Sequence, residues 1–246
     1  MRFKKTILLL FVVLSIFLIY LFTLDKKTYY LALGDSLAAG QNPYGVIGYG
    51  YSDYVKDYLK EKNILEFYTK DFAKSGYRSV DLLRDIEDNK EIIVNEKKIT
   101  IKNALIKADI VTISIGANDL FYKIGIKDFT NVDFEVDGYY KYIDEVMKDV
   151  DELLFWIRKY CKEKIILVGY YDPLNLNKIN PEFDLLFNYA NEKMNILADN
   201  HNMEYADIYE LFKNNSKFLP NPFDIHPNND GYKAISKVVI DIIRKK

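Results

Sequence analysis

Cysteine and histidine are almost missing from this 246-residue chain: it has one cysteine, Cys161, and two histidines, His201 and His226. A single thiol excludes an intrachain disulfide, so the fold must rest on its own apolar core. Two histidines without an H-E-x-x-H or C-x-x-C pattern exclude a zinc centre of the common kinds, and no metal or cofactor is expected. There is no G-x-x-x-x-G-K-[ST] phosphate loop and no G-x-S-x-G nucleophile elbow. An excess of positive charge is also missing. The chain has 34 Lys and Arg against 36 Asp and Glu, and residues 28–246 alone carry a formal charge of −6, which excludes a nucleic-acid partner. No repeat, low-complexity tract or internal linker divides the chain.

The first feature present is an uncharged, apolar run over residues 6–24. Nineteen helical residues reach about 28 Å, nearly the hydrocarbon thickness of a bilayer. Arg2, Lys4 and Lys5 precede the run, which favours a cytoplasmic N-terminus. No A-x-A site follows it, so an uncleaved transmembrane anchor is read over a cleaved signal peptide. Both readings carry residues from about 28 onward across the membrane, as an anchored or a secreted domain. About 220 residues suffice for one sizeable domain.

Beyond residue 28, strand and helix patterns alternate. Tyr29–Leu33, Ile64–Tyr68, Asp109–Ile115, Lys164–Gly169 and Met203–Ile208 read as strands. Ser52–Lys62, Ser79–Asp88 (with Ser79 as N-cap), Tyr139–Tyr160, Pro181–Asn200 and a last helix from Asp230 read as helices. Glu91–Ile101 reads as a hairpin, and residues 121–138 as a long loop suited to a flap. The alternation predicts an α/β domain, a mostly parallel sheet with helices on both faces.

Three polar blocks stand at the strand ends, where open α/β sheets bind ligands. Gly34-Asp35-Ser36 closes the first strand, Gly76 follows the second, and Gly116-Ala117-Asn118-Asp119 closes the third. A fourth block, Asp224-Ile225-His226-Pro227-Asn228, precedes the last helix. A loop histidine with an acid two residues earlier suits general-base chemistry, whereas His201, at a helix end, reads as structural.

These four blocks, in this order, resemble the SGNH or GDSL-type hydrolases, a family of esterases, lysophospholipases, thioesterases and carbohydrate O-deacetylases. The resemblance covers residues 28–246, leaving residues 1–27 as cytoplasmic stub and anchor. It implies a three-layer, flavodoxin-like domain and a serine hydrolase that cleaves acyl esters. Ser36 is then the nucleophile, His226 its general base and Asp224 the acid that orients the ring. The backbone N–H groups of Ser36 and Gly76 and the side-chain amide of Asn118 form the oxyanion hole. Glycine at 76 is expected because the backbone must approach the substrate closely. The family places its acid three residues before the histidine; position 223 is Phe here, so either Asp224 or a backbone carbonyl orients the ring. Asp35 and Asp119 are expected to brace their loops.

Lipid or lysophospholipid is the first substrate reading and O-acetyl groups on cell-wall glycans the second; a catalytically silent binding module is the reading of another class. Tyr77, Phe121, Tyr122, Tyr170 and Tyr171 are candidates to line an acyl or sugar pocket.

Overall fold

Alternation along the first strand divides the molecule into two cores. Leu31 and Leu33 pack into one apolar cluster, and Tyr30 and Ala32 into another on the opposite face. The computed structural model describes residues 27–125 and 138–245, together with Ser15. The expected membrane span, residues 6–24, lies outside them. No helix among the described residues is long and apolar enough to cross a membrane.

The chain runs β1 (Thr28–Gly34), α1 (Ser36–Ala39), α2 (Tyr51–Glu61), β2 (Leu65–Thr69), α3 (Ser79–Glu87), β3 (Glu91–Val94), β4 (Lys97–Thr100) and α4 (Ile101–Lys107). It continues through β5 (Ile110–Ser114), α5 (Ala117–Ile124), α6 (Tyr139–Tyr160), β6 (Lys164–Val168), α7 (Glu182–Asn200), β7 (Glu204–Ala206), α8 (Tyr209–Lys213) and α9 (Asn229–Arg244). Five strands form the main sheet in the order β2-β1-β5-β6-β7, every neighbouring pair parallel. With the separate β3–β4 hairpin left out, this is the flavodoxin-like order 2-1-3-4-5. The chain reverses its winding between β1 and β5, which opens a crevice at their C-terminal ends.

One cluster buries α3, α4, α6 and α7 against the sheet; the other buries α2, α8 and α9. The hairpin turns at Asn95-Glu96, both at positive φ, the signature of a tight primed turn.

Several expectations change. Residues 121–124 belong to α5 and not to a loop, and residues 126–137 lie outside the described residues. Ser79 is the first residue of α3 and not its cap, because its hydroxyl is taken by Asp119. Pro181 caps α7 and is not its first helical residue. The short helices α4, α5 and α8 were not expected.

Candidate active site

Ser36 reaches its position through a tight junction. Gly34 ends β1 at φ +123°, and a Cβ there would overlap the backbone of Ser114. Only glycine allows the two strand ends to approach so closely while the chain turns. Asp35 then caps α1: its carboxylate accepts from the Leu37 N–H at 3.0 Å and from the Ser114 hydroxyl at 2.6 Å. Burial pushes the Asp35 carboxyl up to about 6. Ser36 follows as the first residue of α1, so its N–H is one of the helix-start donors with no partner inside the helix.

The Ser36 Oγ lies 2.7 Å from His226 Nε2. On the other side of the ring, Nδ1 lies 2.8 Å from Asp224 Oδ1, which also accepts the His226 backbone N–H at 2.8 Å. The acid at minus two therefore reaches the ring by folding back on its own loop, while Phe223 points outward, 74% exposed. That loop is tied on both sides. The Tyr171 hydroxyl donates to the Ile225 carbonyl at 2.6 Å, and Asn228 caps α9 by accepting from the Gly231 N–H. His226 and Ser36 are both buried, and burial lowers the His226 pKa below 6.5 against the opposing pull of Asp224.

The third part is a clasp between two turns. Lys74 N–H donates to the Gly34 carbonyl and Tyr77 N–H to the Lys74 carbonyl, with Gly76 between them at φ +80°. That is the signature of a type II turn. Glycine is required by this φ and not by crowding, since a Cβ there would meet nothing within 4 Å. Asn118, in the first turn of α5, donates one amide N–H to the Tyr77 carbonyl at 2.9 Å. Its amide has a second N–H. Asp119 accepts from the Ser79 N–H at 2.9 Å and from its hydroxyl at 2.5 Å. Asp119 thus joins α5 to the start of α3, which holds the Gly76 turn as well as the Asn118 loop.

Beside Ser36, Asn118 and His226 opens a cavity of about 130 Å³, running between α5, α6 and α7. Its walls are mostly apolar, including Leu120, Ile143, Met147, Phe183 and Leu186. Of the aromatics singled out in the sequence, Phe121, Tyr170 and Tyr171 line it; Tyr77 and Tyr122 do not. Tyr77 bonds Asp85, and Tyr122 lies exposed under Arg78. Gly76 is exposed and is not part of the lining. The α6 and α7 contributions were missed because an apolar helix face reads the same whether it meets a core or an empty space. His201 bonds Asp151 across the surface, away from the cavity.

A hydroxyl on an imidazole on a carboxylate, beside an apolar cavity, is equipped for acyl transfer. The GDSL-like lipase/acylhydrolase family model matches residues 32–234. The chain is 28% identical to the uncharacterized protein YpmR of Bacillus subtilis, covering 87% of this chain and 81% of that one. It is 26% identical to the spore germination lipase LipC of Bacillus licheniformis, covering 85% and 92%. Among solved structures it resembles the lipase Lip_vut3 from a goat rumen metagenome at TM-score 0.64 and 23% identity, covering 86% and 95%. A catalytic mutant of Axe2, an acetylxylan esterase from Geobacillus stearothermophilus, also gives TM-score 0.64, at 19% identity, covering 91% and 97%. At those identities the two structures speak for the fold alone.

Proposed function

The chain belongs to the GDSL-like lipase/acylhydrolase family, and from that membership we propose that it hydrolyses esters of acyl groups well beyond acetyl, with Ser36 as the nucleophile. The Ser36 oxygen attacks the ester carbonyl carbon as His226 Nε2 takes its proton. The charge that develops on the carbonyl oxygen is met by the N–H groups of Ser36 and Gly76 and the free amide N–H of Asn118. Collapse expels the alcohol, which takes the proton back from Nε2, and leaves the acyl group on Ser36. Water, deprotonated by the same nitrogen, then releases the acid. Asp224 holds Nδ1–H and stabilises the ring cation.

The observation that carries the substrate reading is the apolar cavity beside Ser36. An engineered cavity of about 150 Å³ holds benzene, so 130 Å³ takes a chain of about six carbons. Four methylenes beyond acetyl, at about 0.8 kcal/mol each, are worth up to roughly two-hundredfold in kcat/KM. A series of p-nitrophenyl esters tests this. The expected optimum lies near six carbons and vanishes in Ser36→Ala. A sharp optimum at acetyl would establish the O-acetylesterase reading instead. No turnover on any ester, with no fluorophosphonate labelling of Ser36, would leave a binding module.

The charge-free run at residues 6–24 supports attachment to a membrane, with residues 28–246 as the domain beyond it. Sequencing of the mature N-terminus tests this: a start near residue 25 or later would mean a cleaved signal.

A further inference from the structure

We infer that Gln41 is a second acceptor for the Nδ1–H of His226, sharing with Asp224 the holding of the ring in the tautomer that takes the Ser36 proton. The inference rests on the serine-hydrolase reading above. Gln41 leaves the α1 turn with its backbone fixed at both ends. Its N–H donates to the Ser36 carbonyl at 2.9 Å, and its carbonyl accepts the buried Tyr232 hydroxyl at 2.6 Å. The side chain crosses to the ring, its amide nitrogen 3.3 Å from His226 Nδ1, while its amide oxygen accepts the Ser75 hydroxyl at 2.5 Å.

The chemistry decides how that amide must face. His226 Nε2 can accept from Ser36 only if the ring proton sits on Nδ1, where it donates to Asp224. An amide N–H facing that Nδ1–H makes no hydrogen bond. The two ends of a glutamine amide have nearly the same shape, and a half-turn exchanges them. The oxygen then accepts from Nδ1–H, and the NH₂ donates to Ser75, whose hydroxyl accepts as readily as it donates. All four groups are satisfied in this arrangement, and only in this one does the catalytic tautomer keep both neighbours. Ser75 precedes Gly76, so Gln41 also joins the histidine to the turn that supplies an oxyanion donor.

The other titratable groups around the ring are few. Asp224 lies on its own loop and Asp35 beneath the Ser36 turn. Tyr171, after β6, and Tyr232, on α9, are held neutral by burial. An acceptor at Nδ1–H favours the charged ring, so its loss lowers the His226 pKa and a carboxylate in its place raises it.

The experiment follows both histidines by NMR in the full chain, His201 serving as internal control, alongside the pH profile of kcat/KM. The expected result is a His226 pKa lower by a few tenths in Gln41→Leu and higher in Gln41→Glu, with His201 unmoved. A general loosening of the loop cannot produce opposite shifts. Turnover should fall about tenfold in Gln41→Leu, and by a larger factor when the same change is made in Asp224→Ala, because Gln41 is then the last acceptor. A His226 pKa unmoved in both Gln41 variants, or equal factors in the two backgrounds, would overturn the inference. An unlabelled, inactive wild-type chain would overturn the hydrolase reading itself, and the NMR shifts would still report on Gln41.

Discussion

Asp224 and Asp35 are both carboxylates of the site, and their surroundings give them different work. Asp224 faces a ring whose pKa burial has lowered, so the acidic limb of kcat/KM should lie below pH 6.5 and not above it, as a carboxylate partner alone would suggest. Asp224→Asn removes the opposing pull; it should move the limb lower still and cut kcat by up to about 10⁴-fold, measured across pH 4 to 8. Asp35 is raised to about 6 from 3.8, which corresponds to roughly 3 kcal/mol. Its raised folded-state pKa means this stability is present in full below pH 4 and is lost as the pH climbs through 6. Asp35→Asn keeps the cap without the charge. Urea unfolding at pH 4 and pH 7 should show the variant gaining on the wild type by about that amount at the higher pH. The Ser36, His226 and Asp224 positions were legible because their chemistry is carried by type and order in the chain. Gln41 was not, since nothing marks a loop glutamine until the fold lays it against Nδ1.

Among the elements, α5 is the one whose loss would be felt furthest. Its first turn carries Asn118 to the Tyr77 carbonyl and Asp119 to the buried start of α3. Asp119→Ala strands the Ser79 N–H and hydroxyl, at a cost of about 2 to 3 kcal/mol. On the proposed oxyanion role of Asn118 and Gly76 it should also lower kcat with little change in KM, since such donors act mainly on the transition state; denaturation and steady-state kinetics on one preparation check both. The cavity between α5, α6 and α7 makes a second claim. Ala190→Phe on α7, at its wall, should move the ester-length optimum toward shorter chains while leaving acetyl ester turnover intact. The long helix α6 was readable to the residue from its 3–4 apolar spacing, and the strands to within a residue or two. The helices α4, α5 and α8 were not, since five to eight residues give too few turns for a period to show. Their helicity comes from what they touch: Ile101, Ala104 and Leu105 of α4 are buried against the core.

The molecule as a whole has a polarity set by its first strand. Lys27 is stapled at the foot of the sheet, its ammonium donating to the Asn63 carbonyl at 2.6 Å, and β1 starts one residue later. Seven strand residues then rise about 23 Å before the chain delivers Ser36 at the opposite edge. Replacing residues 1–26 by a soluble tag should therefore leave kcat/KM on a water-soluble ester within about twofold, as measured side by side with the full chain. Anything attached ahead of Lys27 therefore meets the domain at its foot, a full strand length away from the mouth beside Ser36, as the base of a lamp lies away from its shade.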